Sequence, residues 1–185
     1  PLNAGSEDML TQPGRQSLGH RIWLRINPGF GHGHSKKVNT GGESSKHGIW
    51  HANVGDALAR IDEFGLDLVG LHCHIGSQVT DPALYGEAIR RMIAAMADIR
   101  TRHGVILTEL NIGGGHAIPY VPGDHELNLE QLADVIENVL DEACAAEHFP
   151  RPQIVVEPGR AICGRAGVTL YRVCSIKTQP GGRTF

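Results

Sequence analysis

A chain of 185 residues with a formal charge of −3 at pH 7 is long enough for one hydrophobic core and carries no positive excess to recruit nucleic acid or an anionic membrane. With 41% hydrophobic and 20% charged residues it falls among globular proteins, and no apolar run approaches the ~20 residues that span a bilayer. Cys73, Cys144, Cys163 and Cys174 are scattered with no CxxC pair, which argues against a zinc ribbon or a disulfide framework and suits a reducing cytoplasm.

Leu2 to Leu10 reads as the end of one unit. Ser6 can cap a short helix through Glu7, Asp8, Met9 and Leu10, which Pro13-Gly14 should stop. Opening on Pro1 in mid-pattern, the chain reads as a piece with something upstream of it. From Arg21 to Asn27 the residues alternate, Ile22, Leu24 and Ile26 against Trp23 and Arg25, and this predicts a strand. Pro28 to Lys46 has no period; it carries Gly29, Gly31, Gly33, Gly41 and Gly42 among His32, His34, Lys36, Lys37 and Lys46. Such a loop suits either a lid over an anionic ligand or a solvated surface insertion.

Val54, Leu58, Ile61 and Phe64 recur at helical spacing, with Gly65 placed to end the helix. Leu66 to His72 follows as a strand. Leu84, Ala88, Met92, Met96 and Ile99 mark a long helix that Gly104 ends, its methionines filling core. Val105 to Ile112 is the next expected strand. Asn128 with Gln131 resembles a capping box, opening a helix whose inward face is Leu132, Val135, Ile136, Val139 and Leu140. Ile154 to Val156 reads as a short buried strand, and Val168 to Lys177, rich in β-branched and aromatic residues, as another. Strand and helix alternating at this interval is the rhythm of a parallel α/β sheet. GxGxxG after the first strand is absent, which weakens a dinucleotide reading. About four βα units are present where a closed (β/α)8 barrel takes roughly 250 residues, so the expectation is about half of a TIM-type barrel.

The unusual residues sit just after successive strands, where barrels and doubly wound sheets both place active sites. Gly113, Gly114 and Gly115 close one apolar run. Three glycines suit positive φ angles or a close approach of backbone N–H groups to something bulky, a phosphate above all; a flexible turn is the plainer reading. His72-Cys73-His74 has the spacing to grip a metal ion from a strand end, as barrel metallohydrolases do, but no further His and Asp ligands follow at later strand ends. One buried, hydrogen-bonded histidine beside a functional one is the reading preferred over metal. Ser77 after Gly76 can offer a hydroxyl and an N–H to a phosphate. Glu157 is a carboxylate, expected to be sheltered, before a rigid Pro-Gly, with Arg160 and Arg165 as its plain salt-bridge partners. Together these supply an anion anchor, a ring platform and a partner for a pyridine nitrogen, which is what pyridoxal phosphate requires.

GLHCHIGSQ (70–78), ELNIGGGHAIPY (109–120) and VVEPGRAICG (155–164) resemble the fold-type III pyridoxal-phosphate decarboxylases. LRINPGFGHGHSKKVNTGGESSKHGIW (24–50) is close to the diaminopimelate decarboxylases within that group. The resemblance implies an N-terminal (β/α)8 barrel and a C-terminal β domain in a cytoplasmic homodimer, with active sites at the interface. It divides this chain into residues 1–166, the later part of the pyridoxal-phosphate-binding barrel, and 167–185, the start of the connection to the β domain. It assigns His74 to stacking on the cofactor ring and Ser77 and Gly115 to phosphate contacts, with Gly113 and Gly114 shaping the turn. Glu157 would face the pyridine nitrogen, with Gly159 beside it among the cofactor contacts. Arg160 would reach the phosphate region and the substrate carboxylate. His74 and Glu157 are the implied catalytic residues, and no metal is implied. Arg25 and Lys46 fall where the family has basic residues near the site.

The implied reaction is decarboxylation of meso-2,6-diaminopimelate to L-lysine and CO2. Carboxynorspermidine, ornithine or arginine are alternative substrates, and a catalytically dead, partner-binding relative is an alternative of another class. Departures are equally visible. The family's Schiff-base lysine lies in a YAxKAN-like segment, and no lysine here has that context. The C-terminal cysteine-acidic motif and the family's substrate and phosphate tyrosine are absent too, and neither Cys163 nor Cys174 has the surroundings of that cysteine. The chain alone is therefore expected to be inactive.

Overall fold

A computed structural model of the chain describes residues 1–29 and 45–185. Most of the loop expected over 28–46 thus lies outside the described residues. Among these residues six strands, β1 (Leu2–Ala4), β2 (Arg21–Asn27), β3 (Ile49–Trp50), β4 (Asp67–His72), β5 (Glu109–Asn111) and β6 (Gln153–Val155), form one sheet. Every pairing between them is parallel, and five run in the order β1-β2-β4-β5-β6, with the short β3 on the end of β2. Five helices, α1 (Asp8–Gln16), α2 (Val54–Glu63), α3 (Pro82–His103), α4 (Leu129–Ala146) and α5 (Gly159–Cys163), accompany them. Parallel strands laid side by side in chain order, with no reversal, wind as a (β/α)8 barrel does and not as a doubly wound sheet. The chain is an α/β partial barrel.

The register explains which residues are core. Ala4, Leu24, Leu71, Leu110 and Ile154 pair across five strands in one apolar row, and the first four are fully buried. Side chains alternate along a strand, so the next row, Arg25, His72, Asn111 and Val155, faces the other way. That row stands nearest the carboxyl ends of the strands and is polar where a closed barrel is usually packed with branched apolar side chains. One layer below, Glu109 accepts from the Trp23 indole N–H at 2.7 Å and pairs with Arg21.

The long helices follow their sequence signals. Asp81 caps α3 through the Ala83 N–H at 2.9 Å, and Gly104 ends it at φ 72°. Asn128 caps α4 by accepting from the Gln131 N–H at 2.9 Å. Met92 and Met96 are buried in the core, as expected.

Other elements differ from expectation. Helix α1 runs through Pro13-Gly14 to Gln16, because Leu10 and Pro13 bury on one side and Gly14 lies directly under the Phe64 ring. That packing offsets the one hydrogen bond that a proline removes. β1, β3 and α5 were not expected; two to five residues are too few to show a period. Of the expected strand 105–112, β5 is Glu109–Asn111, with Thr108 and Ile112 still hydrogen-bonded to the neighbouring strands, and β6 begins one residue early, with Val156 43% exposed. Residues 168–177 form no strand. Val168, Leu170, Tyr171, Val173 and Ile176 are all exposed, and among the described residues no strand lies alongside; the only bridge nearby joins Thr178 to Thr184. β-forming side chains do not make a strand without a hydrogen-bonding neighbour.

Candidate active site

Three post-strand loops are laced together at the carboxyl edge of the sheet. After β4, the Val79 N–H donates to the Gly115 carbonyl at 2.9 Å, and the Ala117 N–H returns to the Val79 carbonyl at 3.2 Å. Gln78, at φ 58°, donates its side-chain amide to the Ile118 carbonyl at 2.9 Å and accepts from the Ile118 N–H at 3.2 Å. After β6, the Glu157 N–H donates to the Gly113 carbonyl at 2.8 Å. The glycine turn is thus stitched on one side to HIGSQ and on the other to EPGR.

The expected positive φ is found at two of the three glycines, and close packing against backbone carbonyls gives a further reason for them. Gly113 and Gly115 have φ of 74° and 89°, in the left-handed region. A Cβ on Gly114 would collide with the Glu157 carbonyl, and one on Gly115 with the Gly76 carbonyl. Gly113 N–H donates to Asn111 Oδ1 at 2.9 Å and Gly114 N–H to His74 Nδ1 at 3.2 Å. Among the described residues the Gly115 N–H has no protein acceptor. The division of labour is plain: Gly113 and Gly114 shape the turn, and Gly115 has a donor to offer.

His74 is half-buried, and its pKa is lowered chiefly by burial and then by the Arg25 charge. Its Nδ1 accepts a hydrogen bond, so the neutral ring carries its proton on Nε2. His72 is 2% exposed, with Nε2 3.3 Å from Glu157 Oε2, and its pKa is pushed down to about 4, mainly by burial. The two imidazoles of the HxH pair therefore have separate partners, and among the described residues no group of three or more His, Cys, Asp or Glu is gathered to hold a metal ion.

Glu157 is less sheltered than expected, its side chain 47% exposed. Oε1 accepts from Asn111 Nδ2 at 2.9 Å. Burial pushes its pKa up, but the Asn111 hydrogen bond and the adjacent His72 outweigh burial and leave it below the ordinary carboxylate value. Neither Arg160 nor Arg165 pairs with it among the described residues, so the plain salt-bridge reading falls. Arg25, in the same row as His72, is half-buried and adds positive potential without an ion pair to Glu157. Lys46 is exposed and makes no ion pair with this cluster.

Arg160, Ser77 and Tyr120 form a second cluster on the same edge. Arg160 donates Nη1 to the Tyr120 hydroxyl at 2.9 Å and Nη2 to Ser77 Oγ. Among the described residues it has no carboxylate partner. Gly159 closes the turn before it, its N–H on the Glu157 carbonyl at 2.8 Å. A guanidinium on two hydroxyls, with the Gly115 N–H unused, is among the described residues a donor set without an anionic partner, and a phosphate fits that chemistry. Asn111, His72 and Tyr120 were not among the expected site residues; a polar Asn interrupting the apolar run of β5 was the visible signal for the first.

The family described as pyridoxal-dependent decarboxylase, pyridoxal binding domain, matches residues 1–164. The chain is 45% identical over 173 residues to the diaminopimelate decarboxylase of Streptomyces coelicolor, covering 94% of this chain and 38% of that one. It superposes on a crystal structure of diaminopimelate decarboxylase with a TM-score of 0.77 at 41% identity, covering 100% of this chain and 42% of that one. Against the diaminopimelate decarboxylase from Helicobacter pylori complexed with L-lysine the TM-score is 0.73 at 26% identity, covering 87% and 40%. The chain spans about two fifths of the length of these relatives. With the family matched over nearly the whole chain, and the Glu157 and Arg160 clusters on one strand edge, this chain belongs to the pyridoxal-dependent decarboxylases, residues 1–164 being pyridoxal-binding domain.

Proposed function

We propose that the full-length protein decarboxylates meso-2,6-diaminopimelate at its D-configured carbon, releasing L-lysine and CO2, with pyridoxal 5′-phosphate as cofactor. The observation that carries this reading is the occurrence, on one laced strand edge, of an Asn111-bonded carboxylate, Glu157, and of a guanidinium, Arg160, held on Ser77. The 45% identity to the Streptomyces coelicolor enzyme supports the choice of substrate.

Pyridoxal phosphate, when bound, supplies an electron sink for loss of the carboxylate. Ser77 Oγ, the Gly115 N–H and the Arg160 guanidinium would hold its phosphate, with Gly113, Gly114 and Gly159 fixing the backbone around them. His74, neutral and pinned through Nδ1, offers an uncharged ring as a stacking platform. Glu157, ionised, would stand opposite the pyridine nitrogen and hold a proton there, since an adjacent negative charge favours the protonated form. Arg160 has five N–H donors and two protein acceptors here, which leaves donors for a substrate carboxylate. Residues 1–166 act in this reading as barrel and 167–185 as the connection to a C-terminal β domain, in a cytoplasmic homodimer.

The test is lysine and CO2 release by the purified full-length protein, loaded with cofactor and offered diaminopimelate, carboxynorspermidine, ornithine and arginine in turn. Preference for diaminopimelate is expected. Preference for another of the four would reassign the substrate, and a 420 nm cofactor band with no turnover of any would mark a dead relative.

A further inference from the structure

His72 is buried in the polar register row, between Arg25 of β2 and Asn111 of β5, and Glu157 lies two residues beyond Val155, the next member of that row. Each oxygen of Glu157 meets one member of the row: Oε1 the Asn111 amide at 2.9 Å, Oε2 the His72 Nε2 at 3.3 Å. The Asn111 amide cannot turn over, because its oxygen accepts the Gly113 N–H. An ionised carboxylate only accepts, so a neutral His72 must present Nε2–H to it. Its Nδ1 is then a buried nitrogen with no partner among the described residues, an arrangement that costs stability and calls for a reason.

Resting on the proposed cofactor reading, we infer that His72 is a positioning residue for Glu157, donating Nε2–H to Oε2 as Asn111 donates to Oε1, and so fixing the carboxylate plane toward the pyridine nitrogen. Each oxygen keeps a lone pair for that nitrogen, and nearly half of the side chain stays accessible. A neutral imidazole serves better here than a cation. A lysine or arginine in its place would neutralise Glu157 and compete with the protonated ring for its charge, whereas His72 adds a hydrogen bond alone. The charged and titratable groups facing the pair are Arg25 from β2 and, just after β4, Cys73 and His74; Arg25 forms no ion pair with Glu157 among the described residues. Burial holds His72 neutral, and it pushes the Cys73 thiol up to about 12.

The experiment uses the full-length holoenzyme loaded with cofactor labelled with 15N in the ring, and reads the nitrogen chemical shift beside kcat and melting temperature. Glutamine at 72 can place a donor near the Nε2 position, whereas asparagine is too short. The expected result is a shift toward the unprotonated nitrogen and a kcat about tenfold lower for His72→Leu and His72→Asn, both largely restored in His72→Gln. An unmoved shift in both Leu and Asn variants overturns the inference, as does an equal loss of kcat in all three, glutamine included. Should His72→Leu fail to fold, the Asn and Gln pair decides. Glu157→Gln separates the two levels. If it moves the nitrogen shift and the His72 variants do not, only the inference fails; if it leaves the shift unmoved, the reading of Glu157 fails and the inference with it.

Discussion

The hydroxyl of Tyr85 and the carbonyl of Gly114 lie 3.2 Å apart, a hydrogen bond from the first turn of α3 to the middle of the glycine turn. Tyr85 is fully buried, and its ring stacks on His116 at 5.3 Å between centroids and 5° between planes. Burial pushes its phenol pKa up, so it stays a donor across the working pH range. The core of α3 is thereby tied to the part of the site that must hold its shape.

Tyr85→Phe keeps the ring and its stack and removes this one bond, leaving the Gly114 carbonyl without its partner. The expected cost is about 1–2 kcal/mol of stability, with weaker cofactor retention and little change in kcat once loaded. Denaturant melts and equilibrium dialysis of the cofactor check it. A variant as stable as wild type, with unchanged retention, would show that the turn holds itself.

Acid should destabilise the protein from about pH 6.5 downward. His72, His74 and His116 all have pKa values below the ordinary ~6.5, chiefly through burial, His72 at about 4. Between those values the unfolded chain binds protons that the folded chain refuses, so stability falls as pH falls. Glu157 works in the same direction. Its lowered value contributes stability that is present above the unfolded carboxylate pKa and is lost as pH drops through the folded one. Melting temperature should therefore decline from about pH 6.5 toward about pH 4, and less steeply in His72→Gln. A flat profile in that window would contradict the buried neutral histidines.

The parts of the fold that were legible in sequence are those with a long period or a strong cap. Ile22, Leu24 and Ile26 announced β2 by alternation, and Gly104 and Asn128 sit where caps belong. α1 ran past Pro13-Gly14 because its partner surface at Phe64 lies fifty residues away in sequence and only folding brings it near. The strand expected over 168–177 had the right side chains and no neighbour. In the candidate site, the glycines, His74, Ser77 and Arg160 were marked in the sequence by glycine and polar residues just after strands, and the structure brings them together on one edge. The Tyr85–Gly114, Gln78–Ile118 and His72–Glu157 contacts span 29, 40 and 85 positions, and no local pattern marks them.

Arg160 holds Tyr120 and Ser77 through two nitrogens of one planar fork. Lysine keeps the charge but cannot reproduce that geometry. Arg160→Lys should therefore weaken cofactor binding about tenfold, as expected for loss of a charge-assisted hydrogen bond, and raise KM for a substrate bearing a carboxylate. Tyr120→Phe should change either quantity much less, since it removes only an acceptor from a guanidinium that water can solvate. Dissociation constants and steady-state kinetics on both variants check this; equal losses would move the anchoring role from Arg160 to Tyr120.

Gly114→Ala discriminates between two reasons for the glycine turn. Unlike its neighbours, Gly114 is not among the residues of positive φ, so alanine meets no backbone strain there. If the three glycines served only to make a flexible turn, the substitution would be nearly silent. The Glu157 carbonyl, however, occupies the space where the new Cβ would stand, and the same carbonyl accepts the Gly159 N–H. The EPGR turn must then retreat and carry the Glu157 side chain with it, away from Asn111 and His72. Overpacking of this kind costs about 1–3 kcal/mol. Gly114→Ala should lower the melting temperature and depress kcat together, the second because the carboxylate is displaced and not because a phosphate donor is lost. Cofactor affinity should fall less than in Arg160→Lys, since the Gly114 N–H is already held by His74. Affinity falling further than kcat would instead place the phosphate against Gly114 itself.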